Sequence, residues 1–133
     1  MGRYSEAADA LRDIPQGFFP PQQVEEAVRV LRAAPAQVNS AQTVLSTSDL
    51  GFVYLYTGSP EPILDFFESR AAAGVPNLQN IFPAFLWAPS YAPVRKTERF
   101  KEYVRKYGMV DYWRARGWPD RCHPTTGDDF ACD

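Results

Sequence analysis

The chain lacks the features that would place it in a membrane or in the disordered class. It contains no apolar run of about eighteen residues, and its N-terminus has neither the basic nor the apolar region of a signal peptide. Disordered chains are poor in aromatic residues, whereas this one carries 9 Phe, 7 Tyr and 3 Trp among its 133 residues. The sequence therefore predicts a soluble, compact unit with one core and no membrane span.

Motifs of catalytic and cofactor sites are also lacking. The sequence has no glycine-rich phosphate loop, no nucleophile elbow and no His-Glu-x-x-His zinc motif. The single histidine, His123, has no partner motif that would make it a general base. We therefore expect a protein that is not an enzyme and that holds no cofactor.

Cysteine is scarce, with only Cys122 and Cys132, which lie close to His123, Asp128 and Asp129. These are zinc-ligand types, but Cys122 and His123 are adjacent and the other spacings match no standard zinc motif, so no metal is expected. A disulfide between the two cysteines would staple the end of the chain, and two free thiols are the alternative. The disulfide would favour an extracytoplasmic location, whereas the default expectation is cytoplasmic.

Alternating strand patterns are almost absent, and apolar residues recur at the three- and four-residue intervals typical of helices. Ser59 is expected to cap the helix that begins at Pro60, since serine is a favourable N-cap. The sequence predicts an all-α fold with a terminal loop or tail over residues 122–133. The expected helices cover residues 3–13, 21–34, 50–56, 60–74, 84–87, 97–107 and 109–116.

Two stretches have the spacing of a helix–turn–helix repeat of about 34 residues. The residues at the expected packing positions are Gly2, Tyr4, Ala7, Leu11, Leu50, Gly51, Tyr54, Gly58 and Phe67. Gly51 would allow two helices to approach closely, and Phe67 would close the hairpin from its second helix. These residues resemble the tetratricopeptide-repeat (TPR) family, and the resemblance implies a solenoid of helical hairpins.

The resemblance also implies an irregular organisation. The two units are offset by 56 residues, from Gly2 to Gly58, so an inserted helix near residues 21–34 is expected between them. Residues 1–76 form the TPR-like part, residues 77–121 an aromatic and basic cap, and residues 122–133 an acidic tail. The last 48 residues are similar to the C-terminal end of bacterial TPR-containing signalling proteins of the adenylate cyclase or winged-helix regulator type. The chain is then expected to be a piece of a longer protein.

The charges are distributed unevenly along the chain. Residues 95–121 carry 9 Lys/Arg and 4 Asp/Glu, between an acidic body and the acidic tail, which we expect to fold back on them. Their helical spacing buries the interleaved aromatics and pairs cations with neighbouring acids, so no nucleic-acid binding is expected. Alternatively, the cations form a surface that binds an anion or a partner. The residues of this surface are Arg95, Lys96, Arg99, Lys101, Arg105 and Lys106.

The largest side chains concentrate in the last third of the chain. A core that closes the end of a solenoid is the favoured interpretation, and an exposed pocket for a peptide is the alternative. The residues are Trp87, Tyr91, Tyr112, Trp113 and Trp118.

The expected function is a non-enzymatic protein-interaction or regulatory domain with a protein or peptide partner. The alternative is a module that senses a small ligand or an anion on the basic surface of residues 95–121. The first helix would lack an upstream partner helix, which leaves part of its apolar face uncovered. We therefore also predict a weak homodimer through residues 2–14.

Overall fold

The computed structural model describes residues 2–42, 45, 49–74 and 84–133, and this part of the chain is mostly helical. Two short 3-10 helices, Ala84–Trp87 and Pro89–Tyr91, precede the C-terminal helices, and a two-stranded sheet of β1 (Cys122–Pro124) and β2 (Phe130–Cys132) follows them. The α-helices are α1 (Tyr4–Arg12), α2 (Pro21–Ala33), α3 (Phe52–Tyr56), α4 (Glu61–Ala72), α5 (Ala92–Arg95), α6 (Glu98–Lys106) and α7 (Met109–Arg116). The predicted predominance of helix is confirmed.

Glycine and threonine define helix ends where the sequence predicts them. At the end of α3, Gly58 has a φ of 69°, and the amide of Ser59 donates to the carbonyl of Tyr54 at 2.8 Å. This arrangement satisfies a carbonyl of the last turn, and glycine adopts its positive φ without a Cβ clash. At the start of α6, the Thr97 hydroxyl accepts a hydrogen bond from the amide of Phe100 at 3.1 Å. The sequence also predicts capping side chains at Thr47 and Ser48 for the apolar run that begins at Leu50. These two residues lie outside the described residues.

Ser59 does not cap α4, which is a correction to the sequence-based expectation. Helix α4 begins after Pro60 with no side-chain cap. The Ser59 side chain is buried, and its Oγ accepts a hydrogen bond from the amide of Val38 at 2.9 Å. The amide of Val38 is itself buried, and the Ser59 hydroxyl provides the acceptor that this amide needs.

The helices pack around one core that extends from Ala8 to Cys132. Helix α1 packs along α2, and α2 in turn contacts α3. On the other side, α4 contacts both α5 and α6, and α6 packs against α7. Helix α2, which the sequence suggests is an insertion, is therefore the helix that pairs with α1.

The C-terminal residues form a β-hairpin and not the predicted loop or tail. The strands are antiparallel, with Cys122 opposite Cys132 and Pro124 opposite Phe130. The two cysteines are joined as a disulfide, and Phe130 is fully buried. Each strand has three residues, which is too short for an alternating pattern to be visible in the sequence.

None of the described helices combines the length and the apolar character that crossing a lipid bilayer requires.

Candidate interaction surface

Helix α1 carries apolar residues on two faces. Ala8 is fully buried in the core that α1 shares with α2. A second apolar stripe runs along the helix and past its C-terminal end, because its residues recur at helical spacing. The stripe consists of Ala7, Ala10, Leu11 and Ile14. This second stripe lines an open groove.

Helix α3 forms the opposite wall of that groove. Its sequence, FVYLY, is apolar or aromatic at every position, so the helix cannot hide all of its side chains in one core. Val53 and Tyr54 are buried, whereas Phe52 is 56% exposed and Tyr56 is 49% exposed. The ring of Tyr56 meets the ring of Tyr4 edge to face, with 5.2 Å between centroids. This aromatic contact joins α3 to the start of α1.

The α1–α3 groove has a volume of about 450 Å³. All of its lining residues are apolar or aromatic, namely Ala7, Ala10, Leu11, Ile14, Leu31, Phe52, Val53 and Tyr56. Contiguous apolar surface that remains exposed on a folded protein is typical of contact sites for other molecules. The α1–α3 groove is therefore the candidate site for a partner.

A second cleft continues the groove past the end of α1. It shares Leu11 and Ile14 with the α1–α3 groove and has a volume of about 710 Å³. Phe18 lies on its wall, is 76% exposed, and has its ring centroid 6.0 Å from that of Phe19. The exposed apolar surface thus extends from α3, along α1, to the loop that precedes α2.

Acidic side chains follow one side of the groove. Glu6 and Asp13 are about two helical turns apart and lie on the face of α1 next to Ala10. Glu6 forms an ion pair with Arg3 and remains largely exposed, and Asp13 is exposed at the C-terminal end of α1. Arg12 lines the clefts on the side toward α2. The exposed border of the groove along α1 consequently carries two carboxylates, of which Glu6 is paired with Arg3.

A buried carboxylate holds α2 against α3 beneath the groove. Glu26 of α2 accepts hydrogen bonds from the Tyr54 hydroxyl at 3.2 Å and from the amide of Gln42 at 3.2 Å. It also forms an ion pair with Arg29 at 2.7 Å. Burial and the neighbouring Glu26 raise the pKa of Tyr54, so this hydroxyl stays protonated and donates. Helices α2 and α3, which contribute Leu31 and Val53 to the groove, are therefore joined by a buried hydrogen bond.

The residues predicted from the repeat pattern differ in burial. The buried ones are Leu50, Gly51, Tyr54 and Phe67, and the half-buried ones are Tyr4, Ala7 and Leu11. Gly2 is exposed before α1, where it lies beside the Tyr4 ring. Gly2 therefore lies outside the packed helices, although the repeat pattern predicts it at a packing position. Gly58 is half-buried and serves to end α3.

Arg95 does not belong to a basic surface, which corrects the sequence-based assignment. Its side chain is 1% exposed, and Nη1 donates to the carbonyls of Leu86 at 2.6 Å and Ala88 at 2.9 Å. Nε donates to the main-chain oxygen of Asp133 at 2.7 Å. Burial, together with nearby Arg121, lowers the pKa of Arg95. The guanidinium satisfies main-chain oxygens inside the protein and does not face solvent.

Arg99 is also used within the protein. Its guanidinium reaches three carboxylates of α4, at 3.2 Å from Glu61, 2.7 Å from Asp65 and 2.8 Å from Glu68. The hydrogen bonds that the guanidinium donates to these acids, with the largest effect from Glu68, raise the pKa of Arg99. Asp65 additionally accepts a hydrogen bond from the amide of Ala41 at 3.1 Å. This arginine ties α6 to α4.

The acidic end of the chain folds back on the basic helix, as the sequence predicts. Asp129 lies 3.1 Å from Nζ of Lys101 and 2.7 Å from the guanidinium of Arg105. Both cations also lie over the ring of Phe130. A hydrogen bond from the amide of Phe130, followed by those from the two cations, lowers the pKa of Asp129 to about 2. Of the six predicted surface cations, Lys96 and Lys106 are the exposed ones that pair with no described acid.

His123 lies opposite Ala131 in the hairpin and is exposed. Its neighbours Cys122 and Cys132 are joined to each other and are therefore not available as thiolate ligands. In the described ranges no group of three or more potential ligands is placed to hold a metal ion.

The aromatic residues of the last third form a core, with one exception. Trp113 is buried, and its ring lies 5.9 Å from that of Trp87, 5.6 Å from that of Trp118 and 5.9 Å from that of Phe130. Tyr112, which the sequence placed in the same group, is 59% exposed. Neighbouring residues of a helix point about 100° apart, and with Trp113 directed into the core Tyr112 projects toward solvent.

The most exposed aromatic residues of the site were not among the sequence-predicted ones. Phe18, Phe52 and Tyr56 could be anticipated only in part. An apolar run of one and a half turns must leave some side chains in solvent, which is a signal for Phe52 and Tyr56. Phe18 follows Gly17 in a proline-rich loop and carries no periodic signal.

Comparison with protein-family models, with curated proteins and with solved structures finds no match for this chain.

Proposed function

We propose that the chain is a non-enzymatic protein-interaction or regulatory domain that binds a protein or peptide partner in the α1–α3 groove. The observation that carries this proposal is the pair of exposed rings, Phe52 and Tyr56, beside an entirely apolar groove. Covering apolar surface contributes about 25 cal/mol per Å² to association, and aromatic side chains are enriched at interfaces. A partner that covers the two rings therefore gains binding free energy.

The organisation of the helices supports a TPR-like interaction domain. Helix α1 pairs with α2, and α3 is joined to α4 through a tight turn at Gly58. Paired helices such as α1 and α2 are the units that stack into solenoids whose grooves bind partners. The resemblance of the sequence to the TPR family supports the proposal that this domain acts in a bacterial signalling protein.

Anion or small-ligand sensing by residues 95–121 has weaker support. Arg95 is buried, and Arg99, Lys101 and Arg105 already contact acids of the same chain. An anion would have to displace these carboxylates before it gained the same charge interactions.

Site-specific photocrosslinking in the source cells tests the proposed function. Benzoylphenylalanine is placed at Phe52 and, in a matched control, at Tyr112, which is equally aromatic and similarly exposed. We expect the probe at residue 52 to capture one defined protein that the probe at residue 112 does not. That protein, once purified, should bind the wild-type chain and lose at least tenfold in affinity with Leu11→Glu, while Tyr112→Glu should leave binding unchanged.

Circular dichroism first establishes that both variants remain folded. Equal capture at the two positions, or binding that is insensitive to Leu11→Glu, would contradict the proposed function.

A further inference from the structure

We propose that the α1–α3 groove binds an amphipathic helix whose apolar stripe is bordered by lysine or arginine. This inference rests on the proposed function and specifies the chemistry of the partner. It follows from the shape of the groove and from the charges along its border.

The shape of the groove suits a helix. The α1 wall from Ala7 to Ile14 covers about two helical turns, or roughly 10 Å. Ala7 and Ala10 are small, so they allow the backbone of another helix to come close, within the usual interaxial distance of about 8–10 Å. Phe52 and Tyr56 stand on the opposite wall and can pack between residues spaced by three and four along the incoming helix.

The charges at the border favour a basic partner. Glu6 and Asp13 flank the groove along α1. Arg3 precedes α1 and is already paired with Glu6. Arg12 faces the α2 side of α1. Lysine or arginine beside the apolar stripe of a partner would meet these carboxylates, which speeds association and selects against acidic helices.

The same charges disfavour a second copy of this chain as the occupant. Glu6 and Asp13 lie four and three residues on either side of Ala10. An antiparallel contact of two α1 helices centred on Ala10 would place Glu6 of one copy near Asp13 of the other. A parallel contact would place each acid near its own counterpart. Both arrangements bring like charges together, and this opposes the homodimer predicted from the sequence.

Two synthetic peptides test the inference. Both have about four helical turns and the same leucine and alanine stripe, but one is bordered by lysine and the other by glutamate. Fluorescence anisotropy measures the binding of each labelled peptide to the intact chain. We expect the lysine peptide to bind at least tenfold more tightly, and the difference to shrink as salt is added.

Charge reversal provides the second arm. The double variant Glu6→Lys/Asp13→Lys should invert the preference, so that the glutamate peptide binds more tightly. Asp111→Lys is the matched control, because Asp111 is an exposed acid on α7, away from the groove. This control should leave the preference unchanged.

Three results would overturn the inference. If both peptides bind equally and both are lost with Leu11→Glu, the groove is an interaction site without charge preference, and the proposed function stands. If neither peptide binds, a basic helix is not the occupant, and crosslinking at Phe52 then decides the proposed function separately. If sedimentation shows a dimer that Leu11→Glu converts to a monomer, a second copy occupies the groove.

Discussion

The Nε atom of Arg95 lies 2.7 Å from the main-chain oxygen of Asp133, so a buried guanidinium joins α5 to the residue that follows β2. Arg95→Met would remove this bond and leave the carbonyls of Leu86 and Ala88 without their donor. We expect the free energy of unfolding to fall by about 3 kcal/mol, because buried acceptors lose a charged partner. Urea denaturation measures this, with Lys96→Met at the neighbouring exposed position as the control. Equal stability of the two variants would contradict the structural role of Arg95.

The disulfide between Cys122 and Cys132 closes a loop with a sequence separation of 10. Restricting the unfolded chain by a loop of this length contributes about 2–3 kcal/mol. We therefore expect the double variant Cys122→Ser/Cys132→Ser to be destabilised by that amount, and a reducing agent to lower the melting temperature of the wild type but not of the variant. Labelling of two thiols in unreduced protein made under oxidising conditions would show that the bond is absent.

The ion pairs of Asp129 predict that the free energy of unfolding decreases at acidic pH. Its pKa is lowered to about 2 in the folded protein, whereas an unfolded aspartate has a pKa of about 4. The stabilisation is therefore present above pH 4 and is lost as the pH falls toward 2. Asp129→Asn removes the charge, so the difference in melting temperature between wild type and variant should narrow over this interval. Asp128→Asn, at the more exposed neighbour, serves as the control. A constant difference between wild type and Asp129→Asn from pH 6 to pH 2 would contradict the assignment.

Gly51 is buried at the N-cap position of α3. Gly51→Leu adds a side chain where the core has closed around the backbone, so we expect it to cost about 1–3 kcal/mol through overpacking. Thermal unfolding followed by circular dichroism provides the measurement. Gly127→Leu is an informative comparison, since Gly127 is exposed and a Cβ added there meets no atom within 4 Å, although its φ of 66° adds backbone strain. An unchanged melting temperature for Gly51→Leu would argue against close packing at this position.

Much of the helical framework was predictable because its boundaries depend on local chemistry. Pro21 begins α2, Gly108 separates α6 from α7, and Gly117 ends α7, each close to where the sequence indicates. Proline and glycine act on their own backbone and need no distant partner. Their effect is therefore visible in a single sequence.

The parts that were missed depend on contacts between distant residues. The sequence shows that Arg95 is charged, but its burial follows from carbonyls brought to it by Leu86, Ala88 and Asp133. The hairpin at the C-terminus is likewise stabilised by the packing of Phe130 on Trp113, 17 residues earlier. The pairing of α1 with α2, and hence the groove, also requires tertiary contacts that periodicity does not specify.

The side chain of Asp65 couples the C-terminal helices to the N-terminal half of the protein. One of its carboxylate oxygens accepts from the amide of Ala41, in the segment after α2, and the other accepts from Arg99 on α6. The segment after α2, helix α4 and helix α6 are thus joined through the single side chain of Asp65. A force applied to α6 is transmitted through Arg99 and Asp65 to the segment that follows α2, so the C-terminal helices brace the half of the protein that carries the groove.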